Sequence, residues 1–130
     1  MVSKPKRDSF CLVVDDEESI RAYICSVLQG EGFQTLEAVN ATQALQIVHR
    51  LSGGIDLIVT DVIMPGDMSG LDLAHSVRLA FPAVRIVLIS GYPDVEGRVH
   101  PPGFEFVAKP FTPQAIVAAA RRAGSRQAGS

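Results

Sequence analysis

Short apolar runs alternate along the chain with segments whose apolar residues recur at helical spacing. Phe10 to Val14 reads as a strand. From Glu18 to Gln29, Ile20, Ile24, Val27 and Leu28 fall on one helical face, and Gly30 and Gly32 end the segment. Phe33 to Val39 is a weaker, more polar strand. Asn40 is placed to cap a helix from Ala41 to about Leu51, with Ala44, Leu45, Ile47 and Val48 on one face, and Gly53-Gly54 breaks it. Ile55 to Thr60 is the next strand. Asp61 to Gly70 reads as loop, with Met64-Pro65-Gly66 and Ser69-Gly70 as turn chemistry. A helix from Leu71 to Ala80 precedes Pro82, and Arg85 to Ser90 is a further apolar strand. Phe104 to Ala108 is the last strand. Thr112 caps, and Pro113 starts, an Ala-rich helix to about Ala123.

Strict alternation of near-continuous apolar strands with helices predicts an α/β fold: a doubly wound, five-stranded parallel sheet covered on both faces. Ligands of such sheets bind at the carboxyl ends of the strands. This makes the polar residues there informative. The first strand ends in Asp15-Asp16, the third in Asp61, the fourth in Ser90 and the fifth in Lys109. Taken singly, each has a plain structural reading. An Asp-Asp pair makes a solvated turn or cap, a lone Asp an Asx-turn, Ser90 a cap, and Lys109 a surface charge. Four such endings on one sheet edge bring three carboxylates, a hydroxyl and an ammonium together.

Two carboxylates about 4 Å apart repel by roughly 4 kcal/mol at an effective dielectric near 20. Three together need a counter-cation or raised pKa values. Lys109 offers one positive charge, and a hard divalent cation with oxygen ligands supplies the rest. Mg²⁺ suits a site with few carboxylates, several waters and a phosphate. Ser90 and Lys109 suit phosphoryl oxygens. Asp61 is then placed to act as a nucleophile toward phosphorus and form an acyl phosphate.

Composition narrows the setting. A chain of 130 residues, 47% hydrophobic and 20% charged, fits one globular domain. Twelve basic against 14 acidic residues, net −2, argue against direct nucleic-acid binding. The longest apolar run, Ala115 to Ala120, is far short of a membrane span. Cys11 and Cys25 make no disulfide framework and read as buried small hydrophobes in a reducing, cytoplasmic setting. Residues 1–8, with Lys4, Lys6 and Arg7, read as a flexible leader, 9–123 as the domain and 124–130 as a flexible tail. His49, His75 and His100 do not cluster in sequence. Arg121-Arg122 reads as a complement to the helix dipole, and Met64 and Met68 as packing or turn residues.

Leu12-Val13-Val14-Asp15-Asp16-Glu17, Thr60-Asp61-Val62-Ile63-Met64-Pro65-Gly66, Ser69-Gly70-Leu71, Ile89-Ser90-Gly91-Tyr92 and Ala108-Lys109-Pro110-Phe111 together resemble the receiver domain of two-component response regulators. The likeness runs from about Ser9 to Ala123, and the wording also looks like receivers appended to hybrid sensor kinases. The resemblance implies the flavodoxin-like strand order 2-1-3-4-5. It implies that Asp61 accepts a phosphoryl group from a phosphohistidine. Asp16 would ligate Mg²⁺ directly, Asp15 mainly through water, and Asp61 and the backbone carbonyl of Ile63 would complete the protein ligands. Ser90 and Lys109 would hold the phosphoryl group, and Lys109–Pro110 would be a cis peptide bond. Ser90 and Phe106 would move on phosphorylation.

The implied partners are a sensor histidine kinase or histidine phosphotransfer protein and a downstream protein target, with no direct nucleic acid and no membrane. The implied activity is that of a phosphoacceptor assisting its own phosphorylation and dephosphorylation, not of an enzyme, and no output domain is expected on this chain. Two other readings stand beside it. One is a receiver-like interaction module that is never phosphorylated. The other is an aspartyl phosphatase, although such enzymes place the nucleophile after the first strand in an Asp-x-Asp arrangement.

There are departures from the family pattern. Position 106 is Phe, so no tyrosine hydroxyl serves a switch there, and a core role competes with a switch role. Only 18 residues separate Ser90 from Lys109, and Pro93, Gly97, Pro101, Pro102 and Gly103 predict a short or irregular fourth helix between the fourth and fifth strands. Dimerisation through that helix is then not expected. Ile63, apolar where many relatives are polar, and Tyr92, two residues after Ser90, flank the path of an attacking water. A phosphoryl lifetime unlike that of receivers with polar side chains there is expected. Equal hydrolysis rates in wild type and Ile63→Asn would remove this expectation.

Overall fold

The structure, a computed structural model, describes residues 9–91 and 103–128. Five parallel strands, β1 (Phe10–Val14), β2 (Gln34–Ala38), β3 (Leu57–Asp61), β4 (Arg85–Ser90) and β5 (Glu105–Ala108), form one sheet in the order β2-β1-β3-β4-β5. The helices among the described residues are α1 (Glu18–Gln29), α2 (Ala41–Arg50), α3 (Gly70–Ala80) and α4 (Pro113–Ala128).

Strand alternation divides the core into two layers. Leu12, Val14, Ile58, Ile86 and Leu88 pack with Ala41, Ala44 and Val48 of α2 and Leu73, Ala74 and Val77 of α3. Cys11, Val13, Leu57, Val59, Val87, Ile89 and Val107 pack with Ile24, Cys25 and Leu28 of α1 and with Ile116, Ala119, Ala120 and Ala123 of α4. Both cysteines are free and buried. Burying both faces explains why the central strands are apolar throughout and why β2, at an edge, is polar and half-exposed.

Local chemistry sets the ends of the elements. The Asn40 side chain accepts from the Gln43 amide at 2.8 Å, as a cap should. Ser69 caps α3 in a reciprocal box with Asp72, each side chain accepting from the other's amide at 3.0 Å. The helix therefore starts at Gly70, one residue earlier than the apolar pattern predicts. Thr112 Oγ1 accepts from Ala115 N at 3.1 Å at the start of α4.

Other boundaries differ from expectation as well, three of them for identifiable physical reasons. Asp61 belongs to β3 and not to the loop, because it pairs with Ile89 and the next amide, Val62 N, still donates to Ile89 O at 2.9 Å. β3 starts later, at Leu57. The Asp56 carboxylate and amide bond the backbone of Phe10 there, with Phe10 N donating to Oδ2 at 2.8 Å and Asp56 N donating to Phe10 O at 2.9 Å. Helix α4 runs to Ala128, past the expected end at Ala123. Gly124 costs about 1 kcal/mol relative to Ala, too little to stop a helix rich in Ala, Arg and Gln.

Arg121 and Arg122 thus lie inside α4 and not at its end. They pair with Glu31 at 3.0 Å and with the buried Glu105 at 2.7 Å. His49 and His75 pack edge-on against Phe81 and Phe104. The expected short or irregular helix, with Tyr92 and His100, falls within 92–102 and lies outside the described residues. Among the described residues, no helix is long and apolar enough to cross a membrane.

Candidate functional site

The register of the sheet assembles the site. Val14 is level with Thr60, so Asp15 follows beside Asp61. Asp61 is level with Ile89, and Ser90 with Ala108, so Ser90 and Lys109 come next along the same edge. The Lys109 amide donates to Ser90 O at 2.9 Å, and the Lys109–Pro110 peptide bond is cis.

Carboxylate oxygens of Asp15, Asp16 and Asp61 lie within 4.8 Å of one another. Asp61 is buried and both its oxygens are engaged. Lys109 Nζ donates to Oδ2 at 2.7 Å and Ile63 N to Oδ1 at 3.3 Å. Asp15 is buried while Asp16 is exposed. Asp15 Oδ1 accepts from Glu17 N at 2.9 Å, but its buried Oδ2 has no hydrogen-bond partner among the described residues. Ser90 is buried beside them. Asp61, Ile63, Gly91 and Lys109 line an open cleft of about 410 Å³. Phe106 is half-buried and packs against the α2 and α3 layer of the core, while Met64 is buried in it and Met68 packs on it.

The electrostatics follow from crowding. Burial raises the Asp15 pKa. The Glu17 amide opposes this, and the charges of Asp61 and Asp16 add to it. Burial alone would lower the Lys109 pKa, but the hydrogen bond and charge of Asp61, with the charges of Asp15 and Glu17, outweigh it and raise the value. Lys109 is therefore a firm cation, and one cation faces three acids. A hard divalent ion fits what is missing: an orphaned buried carboxylate oxygen, a second acid open to solvent, and a third acid at the rim of the cleft.

Three contributors are not among the candidates the sequence suggests. Gly70 lies so close to β3 that a Cβ on it would stand 1.8 Å from Asp61 O and 3.0 Å from Thr60 Oγ1. Thr60 Oγ1 donates to Asp61 O at 3.0 Å. Arg21 Nη1 donates to Asp15 O at 2.9 Å. The Ser69-x-x-Asp72 pattern, a capping signature, is the one cue in the sequence for where α3 meets β3. Thr60 and Arg21 act on backbone oxygens, which no residue pattern reveals.

This chain belongs to the response regulator receiver domain family, whose profile matches residues 11–121. It is thus a receiver domain of two-component signalling, a family phosphorylated on aspartate that binds Mg²⁺ through an acidic pocket. It is 36% identical over 104 residues to the sensor kinase CckA of Brucella abortus, a match covering 78% of this chain and 11% of that protein. It is 32% identical over 116 residues to an NtrX-like response regulator of Rickettsia bellii, covering 86% of this chain and 24% of that protein. The chain thus spans a small part of these two curated relatives. The crystal structure of a response regulator receiver domain protein from Clostridium thermocellum matches with a TM-score of 0.80 at 28% identity, over 92% of this chain and 97% of that one.

Two outcomes follow from the geometry. Gly70→Ala forces β3 and α3 apart at Asp61 O, so it lowers stability and weakens Mg²⁺ binding. Gly91→Ala, whose Cβ would stand 3.8 Å from Lys109 Cδ, is tolerated. Denaturant titration and Mg²⁺ calorimetry on both variants check this, and equal behaviour would refute it. The second outcome concerns Asp15. Its raised pKa means that the folded chain holds the proton more tightly than the unfolded chain. Its contribution to stability is therefore greatest at low pH and is lost as pH rises through the folded-state value. Asp15→Asn, which keeps the acceptor for Glu17 N, stabilises the metal-free protein at pH 7, and the gain shrinks toward pH of about 4. Urea titrations in EDTA at several pH values measure it. A gain independent of pH would contradict the charge-crowding account.

Proposed function

We propose that Asp61 accepts a phosphoryl group from a phosphohistidine of a sensor histidine kinase or a histidine phosphotransfer protein. The observation that carries this reading is the meeting of three carboxylates within 4.8 Å, with Lys109 Nζ 2.7 Å from Asp61. An Asp61 oxygen attacks phosphorus, the N–P bond of the donor breaks, and the imidazole leaves with the electron pair and takes up a proton. Asp16, Asp61 and the backbone carbonyl of Ile63 would hold Mg²⁺ directly, and Asp15 mainly through water. When bound, the ion neutralises charge on the transferring phosphoryl oxygens.

This chain's own residues do the positioning. The Ile63 amide and Lys109 hold Asp61 by its two oxygens, so the carboxylate is oriented. Lys109 and the Ser90 hydroxyl then serve as donors to the phosphoryl group. Attack by water on the acyl phosphate returns Asp61 and inorganic phosphate, which makes the signal self-limiting. A shift of Ser90 toward the phosphoryl group, with Phe106 turning inward, would present a changed surface to a downstream protein target. The half-buried packing of Phe106 is compatible with both that role and a core role.

Incubation with Mg²⁺ and acetyl phosphate is expected to add one phosphoryl group, read by intact mass. The gain should vanish in EDTA and in Asp61→Asn. Failure to label with acetyl phosphate and with a panel of histidine kinases would overturn the reading in favour of an unphosphorylated interaction module.

A further inference from the structure

Both Asp15 and Asp16 sit in the turn from β1 to α1, and what orients that turn is a residue one helical turn further on. The Arg21 side chain is 13% exposed, and its guanidinium is used as a fork. Nη1 donates to the backbone carbonyl of Asp15 at 2.9 Å, and Nε donates to Glu37 Oε1, on β2, at 2.8 Å. Arg21 N also donates to Glu17 O at 3.0 Å, which closes the first turn of α1.

The Asp15 carbonyl belongs to the peptide unit that joins Asp15 to Asp16. That unit is planar, so holding its oxygen restricts the relative direction of the two Cα–Cβ bonds. The preceding peptide unit is tied to the sheet by Asp15 N donating to Ala38 O at 3.2 Å, and the Asp15 carboxylate is tied by Glu17 N at 2.9 Å. No described residue holds the exposed Asp16 carboxylate by a hydrogen bond. Its direction relative to Asp15 therefore depends on this one peptide plane.

We propose that Arg21, itself oriented by Glu37, is a positioning residue that sets the spacing of Asp15 and Asp16 for a divalent cation; this rests on the Mg²⁺ reading above. Groups that orient metal ligands from behind are worth about 10-fold or more in affinity. The role needs the fork and not the charge alone. A lysine ammonium has no second, rigidly placed donor with which to bridge Glu37 and Asp15 O.

The test is calorimetric titration of the full chain with Mg²⁺. Arg21→Ala should raise the Mg²⁺ Kd about 10-fold. Arg21→Lys should recover little of it. Glu37→Gln should raise the Kd by a smaller factor, and it should add nothing in the Arg21→Ala background, as expected of residues acting in series. Arg122→Ala, which breaks the ion pair with Glu105 on α4 and β5, should lower stability and leave the Kd unchanged. Amide NMR spectra of metal-free Arg21→Ala should show shifts at residues 15–17. A wild-type Kd in Arg21→Ala, full rescue by Arg21→Lys, or the same weakening in Arg122→Ala would each overturn the proposal. Absence of Mg²⁺ binding by the wild-type chain would instead overturn the metal reading on which it stands.

Discussion

Crowding of negative charge at one sheet edge is the constraint around which the rest of this molecule is arranged, and the Lys109–Asp61 contact at 2.7 Å is what makes it tolerable. Each close carboxylate pair costs roughly 4 kcal/mol at 4 Å and an effective dielectric of 20. The Lys109 side chain is 33% exposed, so its attraction is partly screened and cannot offset every repulsion. The residue of that imbalance is visible in Asp15, whose pKa is raised and whose buried Oδ2 has no partner among the described residues. A fold selected for stability alone would place an amide or an apolar group there. Retaining the acid makes sense if a divalent cation completes the charge balance.

The parallel sheet is what makes such crowding possible. Every strand runs the same way, so each residue that follows a strand arrives at one edge, and consecutive strands deliver their endings in register. β1 and β3 are neighbours in the sheet although β2 and α2 lie between them in sequence. The crossover order therefore puts Asp15 beside Asp61, and Ser90 and Lys109 follow on β4 and β5. The apolar strands, buried against α1 and α4 on one face and α2 and α3 on the other, hold the edge rigid while it carries its unfavourable charge.

Most of this architecture could be read from residue order, for a physical reason. Burial imposes periodicity, and β1, α1 and β4 were legible to the residue because their apolar patterns stop where the packing stops. Legibility failed where a boundary depends on hydrogen bonds. Asp61 looks like a loop residue by composition, yet it sits in the ladder because the backbone of Val62 continues the pairing to Ile89. The end of α4 was hidden because Gly124-Ser125 resembles a tail, although the residues around it favour helix. The carboxylates, Ser90 and Lys109 were visible as candidates because their side chains carry the chemistry.

Residues that support them were not visible, and their manner of action explains why. Arg21 holds Asp15 O, Thr60 holds Asp61 O, and Gly70 abuts that same oxygen. The Lys109 amide holds Ser90 O. In each case a functional residue is held in part through its peptide carbonyl. This arrangement has a consequence for reactivity. A carboxylate fixed through its own oxygens has little capacity left for a metal or a phosphoryl group, whereas one fixed through the backbone keeps its oxygens for the ligand. Asp16 shows the extreme form, exposed and held by no hydrogen bond from a described residue, at the end of a peptide unit that is itself clamped. Asp61 is intermediate, since Lys109 and the Ile63 amide must share its oxygens with whatever binds. The cleft is therefore rigid in its main chain and open in its side chains, which is the combination that metal-assisted phosphoryl transfer requires.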